Sequence, residues 1–349
     1  VTQIAGERAR TYELAYDAAD RLCAWRDVDD PDVAIRIEYE PNGGRAGMAE
    51  VMWSDDLQTL CDDGPVGARV VRNDRHLPAG DGGLLGVVGQ FGGGFDAEID
   101  TSGAQTRLAS RALGRDARGR PATDRYGADG FSLEVGSRRS VRDGVGLLGV
   151  RDQGVPPSWF SPALPGFELT EIGGWTVVAR SPQGAPLAAR AEAGGGLRYG
   201  AVYDPFGAPE SSGYYPKTWG GYLTYPAAFG SPGLMDAGHR LYAPELGRFL
   251  SRDPVATDPR EPATVDRFGF GRGNPVVYAD PDGRVPILVP LAYLAVSTAV
   301  DTWVDYAFHR ALGAGAFDLV RSVSVNAVVN AATLGVGAGL KHAGKLRQV

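Results

Sequence analysis

The sequence predicts a mainly β fold: stacked hairpins sharing a core, a turn-rich closing segment, and a short helical tail. Three observations carry this reading. Glycine occurs 50 times in 349 residues, as expected where many short strands need many turns. A Tyr-x-x-x-Tyr-Asp unit, followed by a turn residue, recurs along the chain. Between Gly233 and Arg284, Asp-Pro, Asn-Pro and Asp-Gly steps alternate with short aromatic or β-branched pieces such as RFGF and VVY. Proline fixes φ, glycine permits φ > 0 and aspartate hydrogen-bonds its own backbone, so this segment reads as turns and strands with no helix of useful length.

Taken in order, residues 12–22 (YELAYDAADRL) give the first unit, and residues 199–207 (YGAVYDPFG) repeat it with a glycine at 207. Weaker copies lie at 38–45, 99–108, 115–122, 125–133 and 180–187, each placing a turn residue after a short strand. One such hairpin cannot bury its own apolar face, so successive hairpins must stack to make a core. Residues 63–94 read as a loop with one embedded strand near Leu84–Val88, and residues 137–162, with several Arg and Gly and a Pro-Pro, as an irregular connection. The aromatics of 214–230 suit the lining of a β shell, with sugar binding as the alternative.

Calcium needs six or more oxygens in a compact loop, and neither RDVDDPDV at 26–33 nor DPDG at 280–283 has that pattern. Solvated turns are expected at both. The uncharged run 285–300 is shorter than the roughly 20 residues that span a bilayer, and Pro286 and Pro290 interrupt it. From 299 to 340 the pattern is helical, with Asn326 and Asn330 four apart on one face. Packing in or against the shell is expected for these helices over membrane contact of 285–340.

A net charge of −7 with 43% hydrophobic residues fits a globular protein, and the scattered basic residues exclude a nucleic-acid partner. Cys23 and Cys61 cannot staple a chain of this size; one bridge and two free thiols are both open, with free thiols expected. The histidines at 76, 239, 309 and 342 have no metal-ligand spacing, so no metal or cofactor is implied, and His239 is expected on a surface turn. The opening VTQIAGERARTYELAY starts inside a repeat without a secretory leader pattern, suggesting the C-terminal part of a longer protein.

One run stands out for chemistry. It comprises Arg240 and Tyr242, then Pro244, Gly247, Arg248 and Phe249, then Asp253-Pro254, Asn274-Pro275, and Asp280, Pro281 and Gly283. In that order it closely resembles the RHS-repeat-associated core that closes RHS/YD-repeat proteins. The tyrosine units resemble their YD repeats, with Asp20 where the repeat has Gly. The resemblance implies a YD-repeat β shell over 1–232, a core over 233–284 and a C-terminal segment over 285–349. It further implies a secreted or cell-surface polymorphic toxin, or toxin-complex component, whose shell encloses a C-terminal effector.

In that family the core is an intramolecular aspartyl protease. The resemblance places its catalytic carboxylates at Asp253 and Asp280, its supporting cation at Arg240 and its cleavage site at Arg284–Val285. Two close carboxylates cannot both ionise, so one holds a proton while the other activates water. An arginine can orient one of them with its planar fork. Implied partners are the chain's own enclosed C-terminal segment, an upstream shell or secretion-system component, and an immunity protein. The alternative is a cell-surface adhesion or carbohydrate-binding protein without cleavage. Two departures from the family are a slightly longer segment between the aspartates, ATDPREPATVDR, and Arg284 where the family usually has an apolar residue, often Leu.

Overall fold

The computed structural model describes residues 2–5, 8–41, 43–78, 84–89, 95–96, 98–99, 105–108, 111–112, 125–126, 131–135, 138–143, 146–152, 157–164, 167–171, 175–181, 183–192, 196, 198–209, 219–224, 234–255, 265–284 and 287–288. The fold is mainly β. An eight-stranded sheet runs from Thr2–Ala5 to Phe95–Asp96, and a nine-stranded sheet from Arg125–Tyr126 to Arg198–Tyr199. In both sheets each strand pairs antiparallel with its neighbours in sequence, a pure meander. A three-stranded sheet lies between them in the chain. Leu223–Thr224, Met235–Asp236, Leu241–Ala243 and Arg248–Phe249 form a four-stranded sheet, and Tyr278–Ala279 pairs with Ile287–Leu288.

The repeat units share one physical device. In the turns starting at Asp17, Glu40, Ser181 and Asp204, the first residue's N–H donates to the carbonyl four residues on, and the fourth residue's N–H donates back to the first carbonyl. This is a type I turn closed by a left-handed residue and a bulge. The fourth residues have positive φ: Asp20 61°, Gly43 93°, Gly184 86° and Gly207 87°. Asp20 therefore occupies the left-handed position that glycine fills elsewhere, which aspartate tolerates better than most residues. The Asp17 carboxylate accepts from the N–H groups of Ala19 and Arg21, and Asp204 and Ser181 accept likewise from Ala208 and Ala185. The turns of the copies at 99–108, 115–122 and 125–133 lie outside the described residues.

The strand Leu22–Asp27 is covered on both faces. Cys23 and Ala24 pack beneath Leu57 and Leu60 of the helix Leu57–Asp63, while Leu22 and Trp25 pack with Tyr12, Ile37 and Phe206. The helix was not expected from the sequence; Asp56 caps it by accepting from the Thr59 N–H. Cys23 and Cys61 form a disulfide with Cα atoms 5.5 Å apart, against the expectation of free thiols. The helix brings Cys61 over Cys23, a proximity that spacing alone does not reveal.

Two further readings are corrected. Residues 63–94 hold the expected strand Leu84–Gly89 but also the long strand Arg69–Pro78. Residues 137–162 contain three strands, Arg138–Asp143, Gly146–Arg151 and Ser158–Leu164, not an irregular connection. In the first of these the usual polarity is inverted. Val141 is 40% exposed, whereas Arg142 is half-buried and lays its guanidinium over Phe131, 4.8 Å from the ring centre. Residues 26–33 end a strand and turn in solvent as expected, with the Asp29 N–H on the Asp27 carboxylate. Trp219 and Tyr222, the described aromatics of 214–230, are buried at 3% and 2% exposure, which favours lining over sugar contact. No helix among the described residues is long and apolar enough to cross a membrane. The expected helices of 299–340 lie outside them.

Candidate functional site

The core segment wraps an aromatic cluster. Tyr242, fully buried, stacks on Trp219 and packs against Phe249 and Phe270, with ring centres 5.8, 5.5 and 4.6 Å away. Its hydroxyl donates to the Phe206 carbonyl of the second clear YD turn at 2.6 Å. Pro244 starts a single 3-10 turn that Gly247 ends in the left-handed region. Arg248 and Phe249 then form a short buried strand, with Arg248 bridged to Gly269. The Asn274 side chain donates to the Asp20 carbonyl and accepts from the Val277 N–H, hooking the Asn274-Pro275 turn onto the first YD turn. These motif residues hold a scaffold, and the scaffold presents one cation.

That cation is Arg240, whose side chain is 2% exposed. Its Nη2 lies 2.9 Å from Asp280 Oδ2 and 3.0 Å from Asp253 Oδ2, so both carboxylates meet on one nitrogen. Nη1 donates to the Arg267 carbonyl at 3.2 Å, and Nε donates to the Gly283 carbonyl. The guanidinium lies 3.6 Å from the centre of the Phe249 ring, fixed from below as well as at its edge. The structure thus brings together Arg240, Asp253 and Asp280, distant in sequence, at one point.

The carboxylates are placed differently. Asp280 is 2% exposed, so the solvated turn expected for 280–283 is corrected: the turn is present, but its leading aspartate points inward. Its Oδ1 accepts from the Arg284 N–H at 2.8 Å, and its backbone carbonyl accepts from the Tyr222 hydroxyl. The Asp253 side chain retains 20% exposure and accepts from the Val255 N–H. Burial raises both carboxyls above their usual 3.8, with the Arg240 charge pulling each back. For Asp280 the neighbouring Asp282 and Asp253 charges add to the rise.

Asp280 sits in the loop of a hairpin, because Tyr278 pairs with Leu288 and Ala279 with Ile287. The chain after Gly283 therefore folds straight back along the chain before Asp280. Within this loop the Gly283–Arg284 peptide is held at both ends, its carbonyl by Arg240 and its N–H by Asp280. Val285 lies outside the described residues, so the far side of the expected bond has no geometry here.

The sequence missed the part played by His239. Instead of a surface turn it is 7% exposed, its ring centre 3.9 Å from that of Phe131. Its backbone N–H donates to the Asp282 carbonyl, with Nδ1 2.9 Å from the same oxygen. Tyr222 was likewise read only as lining. The one available signal was their position, His239 adjoining Arg240 and Tyr222 in the aromatic stretch. Among the described residues no group of three or more His, Cys, Asp or Glu side chains is placed to hold a metal ion.

No protein-family model and no curated protein matches the chain. Solved structures similar to it include a TcdB2–TccC3–Cdc42 complex, at 16% identity over 79% of this chain and 17% of that one, with a TM-score of 0.43. TcdB2–TccC3 without its hypervariable C-terminal region gives 16% identity, 78% and 17% coverage and 0.43. The Photorhabdus luminescens Tc holotoxin pore gives 15%, 81% and 19% coverage and 0.32. The chain spans less than a fifth of the length of each of these.

Proposed function

We propose that this chain cuts itself once, by aspartyl chemistry, one residue beyond its Asp-Pro-Asp-Gly turn, freeing a C-terminal effector segment from a YD-repeat shell. The observation that carries the reading is Arg240 Nη2 bound to both Asp253 and Asp280 while Nε grips the peptide beside the expected bond. Burial raises both carboxyls and so favours a state in which one holds a proton, against the opposing pull of the Arg240 charge. The more exposed Asp253 takes a proton from water, whose oxygen adds to the scissile carbonyl carbon. Asp280 gives its proton to the leaving nitrogen as the C–N bond breaks. Because catalyst and bond share one folded chain, effective concentration is high and a single turnover needs only a modest catalyst.

The family resemblance places the cut at Arg284–Val285. Domain limits of 1–232, 233–284 and 285–349, enclosure of the last of these, and release as a secreted or cell-surface toxin component belong to the same proposal. So do its partners, an upstream shell or secretion component and an immunity protein.

Intact-mass measurement of the purified chain tests the reading. The expected products are a large fragment ending DPDGR and a small one beginning VPILV. Asp253→Asn and Asp280→Asn, which keep the shape but remove proton transfer, should each leave the chain whole. A small fragment beginning at Arg284 would keep the chemistry and move the bond onto the doubly held peptide. Fragments beginning at Pro254 or Pro281 would mark acid hydrolysis of Asp-Pro bonds. An uncut wild-type chain at every pH from 4 to 8 would refute the proposal.

A further inference from the structure

A second site lies apart from the carboxylate pair. A cavity of about 350 Å³ opens where the core packs on the first sheet, at the small end of the range for ligand sites. Among the described residues Arg21, Arg45, Arg248 and Arg272 line it with one carboxylate, Asp266, and Arg248 and Arg272 have partners of their own. Arg21 is matched, since its Nε and Nη2 both reach Asp17 Oδ2 at 2.7 Å. Arg45 is not. It is 6% exposed, and its Nε and Nη1 have no hydrogen-bond partner among the described residues. Among the described residues its Nη2 reaches the Met48 sulfur alone, at 3.7 Å.

A buried guanidinium with open donors is costly, and the Asp204 charge offsets only part of that cost for Arg45, without a hydrogen bond to Nε or Nη1. The surroundings nevertheless fix it in place. Its face lies 4.6 Å from the centre of the Phe206 ring. Gly247 comes so close that a Cβ there would fall 2.0 Å from Nη1, and Gly247 is itself left-handed, with φ 61°. The nearby His76 supplies no charge to the cluster: burial, then Arg45 and Arg248, holds its imidazole down at about 3.

We propose that this cavity binds a small amphipathic oxyanion, with a phosphate or carboxylate head on Arg45 and a flat apolar body against Tyr39 and Phe270. Both rings line the same space. Arginine is suited to the head group because its planar donors match two oxygens at once. The site needs nothing from Asp253 or Asp280, so it stands whether or not the chain cuts itself.

Calorimetric titration of the full chain in low-salt buffer tests this, with phenyl phosphate, benzoate, inorganic phosphate and benzyl alcohol as probes. One saturable site is expected for phenyl phosphate or benzoate, the stronger of the two identifying the head group. Inorganic phosphate should bind more weakly and benzyl alcohol not at all. Arg45→Met, which keeps an apolar stem, should weaken the better anion at least about tenfold, whereas Arg10→Gln on the first sheet should leave binding unchanged. Arg272→Gln provides a second reading should Arg45→Met fail to fold, and should weaken binding several-fold. Equal binding by wild type, Arg45→Met and Arg272→Gln would overturn the proposal. So would a wild type that takes up neither anion while Arg45→Met lowers the thermal midpoint, because the chain's own carboxylate would then fill the site.

Discussion

Replacing Arg240 by lysine separates charge from geometry at the candidate active site. The guanidinium contacts four oxygens, those of Asp253, Asp280, Gly283 and Arg267. Lysine keeps the positive charge and can still approach the carboxylates, but one nitrogen cannot also span to the carbonyls. The Arg267 carbonyl keeps a partner, because the Asp253 N–H donates to it at 2.8 Å. The Gly283 carbonyl loses its donor, at about 1–3 kcal/mol for an oxygen left unsatisfied. Loss of the flat stacking on Phe249 adds about 0.5–2 kcal/mol. Together these give a destabilisation of about 1.5–5 kcal/mol, within what a stable fold survives. The effect on cleavage should be larger, because the peptide beside the bond is then held at its N–H but not at its carbonyl: displacement by about 1 Å costs about 10²-fold in rate. Urea unfolding gives the first quantity and a mass-spectrometric time course the second. Arg240→Lys cutting at the wild-type rate while losing the expected stability would show that Arg240 only braces the fold.

The remaining predictions concern the disulfide and pH. Cys23 and Cys61 close a loop with a sequence separation of 38, so the double Cys→Ser variant should lose about 4 kcal/mol in urea unfolding by the chain-entropy relation; a loss below about 1 kcal/mol would mean the bridge constrains little in the unfolded chain. Cleavage should show a bell-shaped pH profile set by the Asp253–Asp280 pair as a unit, since it needs one carboxyl protonated and one ionised. The sign for stability follows from the raised carboxyls. The folded state binds these protons more tightly than the unfolded chain. Their contribution is therefore complete below the usual 3.8 and is lost as pH rises through the raised values. Urea midpoints across that window should fall less steeply with pH in an Asp253→Asn, Asp280→Asn double variant than in the wild type, and equal slopes would contradict the assignment.

What could be read from the chain depended on how local each signal was. The YD turn was legible because it is a five-residue object: the first side chain, the left-handed fourth residue and two backbone bonds all lie within Asp17–Arg21. Even the departure at Asp20 was legible, since aspartate can occupy the conformation the glycine would have taken. The meeting of Arg240, Asp253 and Asp280 was legible only through resemblance, because no periodicity brings those three positions together. The helix Leu57–Asp63 shows two buried residues, Leu57 and Leu60, too few for a helical period to emerge. The strand Arg138–Asp143 hid behind its composition. The rule that apolar residues face inward fails where Arg142 covers Phe131 and Val141 faces solvent. Free thiols were expected because the proximity of Cys23 and Cys61 is created by that same unrecognised helix.

The position of Arg240 depends on both large sheets at once. Its turn is tied to the nine-stranded sheet: Ser132 Oγ donates to Asp236, the Ser132 N–H donates to the Gly238 carbonyl, and His239 lies against Phe131. The segment that leads to Asp280 is tied to the eight-stranded sheet, through Asn274 on the Asp20 carbonyl and the Tyr39 hydroxyl on the Gly273 carbonyl. Tyr222 then holds the Asp280 backbone from the aromatic cluster, which includes Ala237 of the first tie and Phe270 beside the second. A chain with one sheet unformed would lack one of these anchors, and Arg240 and Asp280 would not meet with the 2.9 Å contact seen here. In the proposed reaction this makes cleavage follow shell assembly: the bond becomes reactive only once the walls that would hold its product have formed.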